Sequence, residues 1–133
     1  MTSAERVPEQ ERMSLGDFVK AAILLKPGTK NFKEEALDYS LRKISETDKW
    51  FKDLFRLRGD GTSPQPNTTL ENIISFMQIG RILQYTGDYQ YMNMTDFSRG
   101  AVERDLRGKY GNKILEKLKP LVTEVWKCAS EYR

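Results

Sequence analysis

From Ser14 onward the hydrophobic positions recur at helical spacing. Leu15, Phe18, Val19, Ala22 and Ile23 fall at i, i+3, i+4, i+7 and i+8, one face of a short helix that Pro27-Gly28 ends. A second helix is expected after Asn31, whose side chain suits a cap, with Glu34 and Glu35 in the first turn, where the helix dipole favours negative charge. Its apolar stripe is Leu37, Leu41, Ile44, Phe51 and Leu54. Ser45 followed by Asp48 resembles a capping box, so the stretch 31–57 reads either as one helix or as two that meet near residue 45.

Residues 58–66 hold two glycines and two prolines, which marks the loop 58–67 as an internal hinge. Thr68 with Glu71 forms a capping box opening a helix to about Tyr85. Leu70, Ile73, Ile74, Phe76, Met77, Ile79, Ile82 and Leu83 cover most of its circumference, which predicts that residues 69–85 form the central element of a bundle. Between Thr86 and Met94 the periodicity fades, and the aromatic stretch from Gly87 to Tyr91 is read as a loop rather than a short strand. Thr95 or Asp96 caps a fourth helix with Phe97, Ala101, Val102 and Leu106 inward, ending near Gly108 and Gly111. A fifth runs from about Asn112 with Ile114, Leu118, Leu121, Val125 and Ala129 on one face, and Pro120 predicts a kink or restart within it. Residues 1–13 carry five charges and one large aliphatic residue, the composition of a flexible N-terminal tail. The expected fold is all-α: a compact single-domain bundle of about five helices over 14–133.

Composition narrows the chemistry. Among 133 residues there is no histidine and a single cysteine, Cys128, which removes the Ser-His-Asp triad, the Cys-His pair, most zinc sites and any intrachain disulfide. No catalytic residue, metal or cofactor is expected. No apolar run of about eighteen residues is present, and residues 1–13 are too charged for a signal peptide, so a soluble intracellular protein, cytoplasmic or nuclear, is expected. Two carboxylate pairs, Glu34 with Asp38 and Glu103 with Asp105, have plainer uses as solvated helix charges than as acid–base dyads. Arg58-Gly59-Asp60 reads as a turn, and the glycosylation-like Asn67-Thr68-Thr69 and Asn93-Met94-Thr95 have threonines already used as caps.

The strongest functional feature is the placement of charge. Residues 99–119 carry seven Lys and Arg against three carboxylates, a net of +4, while the rest of the chain sums to −1. Arg99, Arg104, Arg107, Lys109, Tyr110, Lys113 and Lys117 are the candidate contacts to RNA, other single-stranded nucleic acid or another anionic surface, with base stacking on Tyr110. The plainer reading of the same residues is a solvated helix face, since Lys109, Lys113 and Lys117 lie at i, i+4 spacing with Glu103 and Glu116 nearby. Lys26, Lys30 and Lys33 cluster around Pro27-Gly28-Thr29 before a helix start, an arrangement that can hold a phosphate, although P-loop spacing is absent and an interhelix turn is the plainer reading. Tyr89 and Tyr91 are candidate anchors for a protein partner, and Trp126 and Cys128 are read as core or near-core. The functional expectation is a non-catalytic binding protein, a subunit or adaptor of a larger nucleoprotein assembly. The rival is a protein-interaction or self-assembling module, a homo-oligomer among the options, with no nucleic-acid role.

Overall fold

Ser14 starts the first helix, its hydroxyl accepting the amide of Asp17 at 3.1 Å. The computed structural model describes residues 13–48, 66–87 and 90–132, with the side chains of 66–69 excepted. Five helices and one two-stranded sheet follow in order: α1 (Leu15–Leu24), α2 (Glu34–Ser45), α3 (Pro66–Ile79), β1 (Leu83–Tyr85), β2 (Met92–Met94), α4 (Asp96–Tyr110) and α5 (Ile114–Ala129). The mostly helical bundle is therefore observed. The tail 1–12, the continuation of α2 through Phe51 and Leu54, and the hinge residues 58–65 lie outside the described residues. Met13, expected in the tail, is 2% exposed and belongs to the core.

The most enclosed helix is α1, of which all residues but Gly16 and Lys20 are buried among α3, α4, α5 and β2. The stretch 69–85, expected to be one central helix, is two elements. Pro66 and Asn67, placed in the loop by composition, open α3, where the fixed φ of proline suits a first turn. At the other end the helix stops at Ile79. Arg81 takes a positive φ of 63°, its amide donates to the Gln78 carbonyl at 3.0 Å, and that of Ile82 to Met77 at 2.8 Å, the pattern of a Schellman end. Leu70, Ile74 and Met77 form the buried stripe, whereas Phe76 and Ile79 are 73% and 78% exposed. The apparent all-round apolarity came from fusing a helix face with the start of a strand.

That strand pairs antiparallel with β2 in the register Leu83↔Met94, Gln84↔Asn93 and Tyr85↔Met92, which corrects the loop reading at 92–94 while Gly87, Gln90 and Tyr91 stay outside the strands. Met92 and Met94 are buried on either side of Asn93, the period-two alternation of a half-buried strand. Phe32 extends the sheet by exchanging two backbone bonds of 2.8 Å with Met92. Asn31 does not cap α2; its side-chain carbonyl accepts from Asn93, which in turn accepts from Gln84. Asn93 is thus fully used as a polar ladder across the sheet.

Thr95 caps α4 by accepting the amide of Ser98 at 3.3 Å, and that phase turns Ser98, Val102 and Leu106 inward. Phe97 and Ala101, expected inward, face outward, Phe97 with 93% of its surface exposed, because Ser98 occupies the inward position of the first turn. In α5 the expected face is observed: Ile114, Leu118, Leu121, Val125 and Ala129 are buried with Leu115, Val122 and Trp126. The helix continues through Pro120 without restarting, since the ring and Glu116, whose carbonyl loses its amide partner, lie on the exposed side. Helices α2 and α5 are pinned together by the buried Ser40 hydroxyl, which donates to the Val125 carbonyl at 2.5 Å.

Candidate anion-binding surface

Four of the seven residues singled out between 99 and 117 are engaged inside the fold. The Arg99 guanidinium donates to the Leu24 carbonyl at 2.7 Å, satisfying an orphan acceptor at the end of α1. Arg107 pairs with Glu103 at 3.2 Å and Glu116 at 3.7 Å, and also donates to the Asn112 carbonyl, fastening the α4–α5 corner. The Lys109 ammonium stands 3.4 Å from both Asp17 and Asp105, and the Tyr110 hydroxyl donates to Asp17 at 2.5 Å. Asp17 is 6% exposed, so its carboxylate needs both partners to be tolerated there. Burial, with the Asp17 carboxylate beside it, pushes the Tyr110 phenol up to about 12. The same carboxylate raises the Lys109 pKa.

The remaining three, Arg104, Lys113 and Lys117, are exposed, as is neighbouring Lys119, and none pairs with a described carboxylate. Lys113 takes the N-cap position of α5 without any side-chain capping bond. A cation at the positive end of a helix dipole is unfavourable, and an incoming anion reverses that term.

A second basic surface forms where the turn 26–33 meets the C-terminal half of α5. The cleft between them has a volume of about 780 Å³, and its basic lining residues are Lys26, Lys33 and Lys127. Trp126 and Phe32 make its floor, their rings edge to face at 5.7 Å, and the indole N–H donates to the Ala22 carbonyl at 2.8 Å. Lys26 lies over the Trp126 ring at 5.2 Å, and its ammonium closes the turn on the Thr29 carbonyl at 2.7 Å. Burial lowers the Lys26 pKa. Lys33 lies over Tyr91 at 5.2 Å and is the N-cap of α2, again without a side-chain capping bond. No carboxylate is among the described residues that line the cleft. Lys30, the third lysine of the turn, instead pairs with Asp96 at 3.0 Å.

Of the two partner tyrosines, Tyr91 is exposed on the rim of this cleft and Tyr89 lies outside the described residues. The carboxylates lie elsewhere: Glu34, Glu35 and Asp38 line a separate groove with Glu71, where burial and then the neighbouring charges of Glu71, Glu35 and Asp38 raise the Glu34 pKa. Among the described residues no group of three carboxylate or thiol side chains could hold a metal, and no helix is long and apolar enough to cross a membrane. Cys128 is half-buried and free. Lys127 was not singled out in the sequence, and it gives no local signal, because the turn that completes its cleft is about a hundred residues away. Comparison with protein-family models, with curated proteins and with solved structures finds no match to this chain.

Proposed function

We propose that the chain is a non-catalytic helical binding protein, a subunit or adaptor of a nucleoprotein assembly, that holds single-stranded nucleic acid along Arg104, Lys113 and Lys117. The observation that carries the reading is that these cations, with Lys119, stay exposed and unpaired after the other basic residues of the segment have found partners inside the fold. Phosphate contacts of this kind draw their affinity from counterion release, which makes it steeply salt-dependent. Tyr110, expected to stack on a base, is half-buried and hydrogen-bonded to Asp17, so the contact rests on charge alone.

The test is fluorescence anisotropy with a labelled single-stranded RNA of about twenty nucleotides, titrated at low and near-physiological salt. Binding that weakens with salt, and that Arg104→Glu with Lys113→Glu abolishes while circular dichroism stays unchanged, supports the reading. Equal binding by the double variant removes it. A second reading, docking to a protein or to another copy of the chain, draws on the exposed Phe76, Ile79 and Phe97. It predicts a mass that rises with concentration, or a captured partner, and loss of either in Phe76→Ser with Phe97→Ser.

A further inference from the structure

We propose that the cleft between the turn 26–33 and the C-terminal half of α5 binds a nucleoside phosphate, with the phosphate among Lys26, Lys33 and Lys127 and the base against Tyr91. This site is separate from the polymer contact on Arg104, Lys113 and Lys117, shares no residue with it, and stands or falls independently.

Three features converge. The first is uncompensated charge. Lys109 has Asp17 and Asp105, and Lys30 has Asp96, whereas the cleft gathers Lys26, Lys33 and Lys127 in one concave site with no described carboxylate in its lining. The buried rings of Phe32 and Trp126 form a low-dielectric floor beneath them, which concentrates the field on whatever enters. Lys26 in particular has lost solvent while keeping only carbonyls and the Trp126 ring as partners, none of them an anion, so an anion restores part of what its ammonium gave up.

The second feature is size. A volume of about 780 Å³ falls in the range of small-molecule sites and exceeds what a bare phosphate fills. The third is the flat aromatic surface beside the charge. The face of Tyr91 now carries the Lys33 ammonium; a ligand whose phosphate engages Lys33 and whose base covers the ring replaces that cation–π contact with an ion pair and a stack. Hydroxyl oxygens of Thr123 and Ser130 on the lining, whose protons go to the Lys119 and Lys127 carbonyls, are further acceptors for sugar hydroxyls. A purely anionic ligand leaves the apolar floor uncovered, and a purely aromatic one leaves the lysines unpaired.

The experiment is a titration of the full chain with adenosine 5′-monophosphate, followed by amide and indole N–H resonances, with adenosine and inorganic phosphate as controls. The expected result is movement of the Trp126 indole signal and of the amides of 26–33, with adenosine and phosphate each weaker by about tenfold or more. Lys33→Gln with Lys127→Gln lowers affinity for the nucleotide by about tenfold or more with an unchanged fold. Tyr91→Ala abolishes the preference for nucleotide over inorganic phosphate. No shift in the cleft at low salt overturns the proposal, as does phosphate binding as tightly as the nucleotide. RNA binding without a nucleotide effect on the cleft sinks this site and leaves the proposed function intact; nucleotide binding without RNA binding does the reverse.

Discussion

Among the described residues, two helices start on a hydroxyl and two start on a lysine. Ser14 and Thr95 cap α1 and α4 through their side chains, while Lys33 and Lys113 stand at the starts of α2 and α5 with no side-chain bond to the free amides. The hydroxyl starts satisfy an orphan donor; the lysine starts leave it unsatisfied by any side chain and add positive charge to the positive end of the dipole. The capped pair is also where charge is consumed by folding, with Asp17 of α1 held by Lys109 and Tyr110 of α4, and Arg99 of α4 closing the end of α1. The uncapped pair is where lysines stay without a described carboxylate partner, Lys113 with Lys117 at one start and Lys33 with Lys127 around the other. Positive charge that the fold does not use, at positions where it costs stability, is what the proposed anion contacts draw on.

The comparison breaks first on the caps themselves. Ser14→Ala is expected to lose about 1 kcal/mol in urea denaturation, since it leaves the Asp17 amide without its acceptor, and Thr95→Ala about 0.5 kcal/mol, since the Ser98 amide keeps the Thr95 carbonyl at 3.0 Å. Lys33→Ser goes the other way. Its backbone already has the φ of −103° and ψ of 136° that a capping residue needs, so a gain of about 0.5–1 kcal/mol is expected together with weaker nucleotide binding. Lys113→Ser gains less, about 0.3 kcal/mol from the removed charge, because a ψ of 7° does not present the hydroxyl to the helix. A loss of stability in Lys33→Ser, or a gain in Thr95→Ala, would end the contrast between the two kinds of start.

The consumed charges have a pH signature. The folded state holds the Tyr110 proton up to about 12 against an ordinary value of 10.0, through burial and the Asp17 carboxylate. A group whose pKa is raised by folding contributes its full stability below the unfolded value and loses it as pH climbs through the folded one. Stability therefore declines between about pH 10 and pH 12. Lys109, raised by the same carboxylate, adds a decline of the same sign, so Tyr110→Phe shallows the slope without flattening it. Denaturation midpoints of the two proteins across that window check this, and parallel curves would show that the phenol is not coupled to folding.

Much of this organisation was legible where one local rule acted alone. Ile114, Leu118, Leu121, Val125 and Ala129 read as one face because nothing but helical period governs α5, and the start of α4 was legible at Thr95 or Asp96 because both side chains suit a cap. The reading failed where two rules met. Leu70 to Leu83 looked like one apolar cylinder because a helix stripe ending at Met77 runs straight into a strand beginning at Leu83, and only the turn at Gly80 and Arg81 separates the periods. Phe97 looked inward because it is apolar, but the cap at Thr95 had already given the inward position to Ser98. The basic stretch showed its charge and not its pairing: Arg99 and Arg104 are alike in sequence, yet one meets the Leu24 carbonyl from seventy-five positions away and the other meets water. Lysines of the turn 26–33 were visible as a cluster, whereas the cleft they share with Lys127 exists only after α5 packs against α2.

Arg81 is the cation that neither half of the contrast yet claims. It is exposed and holds a φ of 63°, a conformation that glycine adopts freely and that costs other residues about 1 kcal/mol, while the adjacent Gly80 does not supply it. Its carbonyl accepts from the Thr95 and Ser98 hydroxyls, so the strained turn is held by the same capped start of α4, and the backbone alone accounts for its position. Arg81→Gly is accordingly expected to raise stability by a few tenths to about 1 kcal/mol, with RNA and nucleotide affinities unchanged. A gain in stability paired with a loss of RNA affinity would move Arg81 among the cations kept for a partner, and would extend the polymer contact from α4 and α5 to the end of α3.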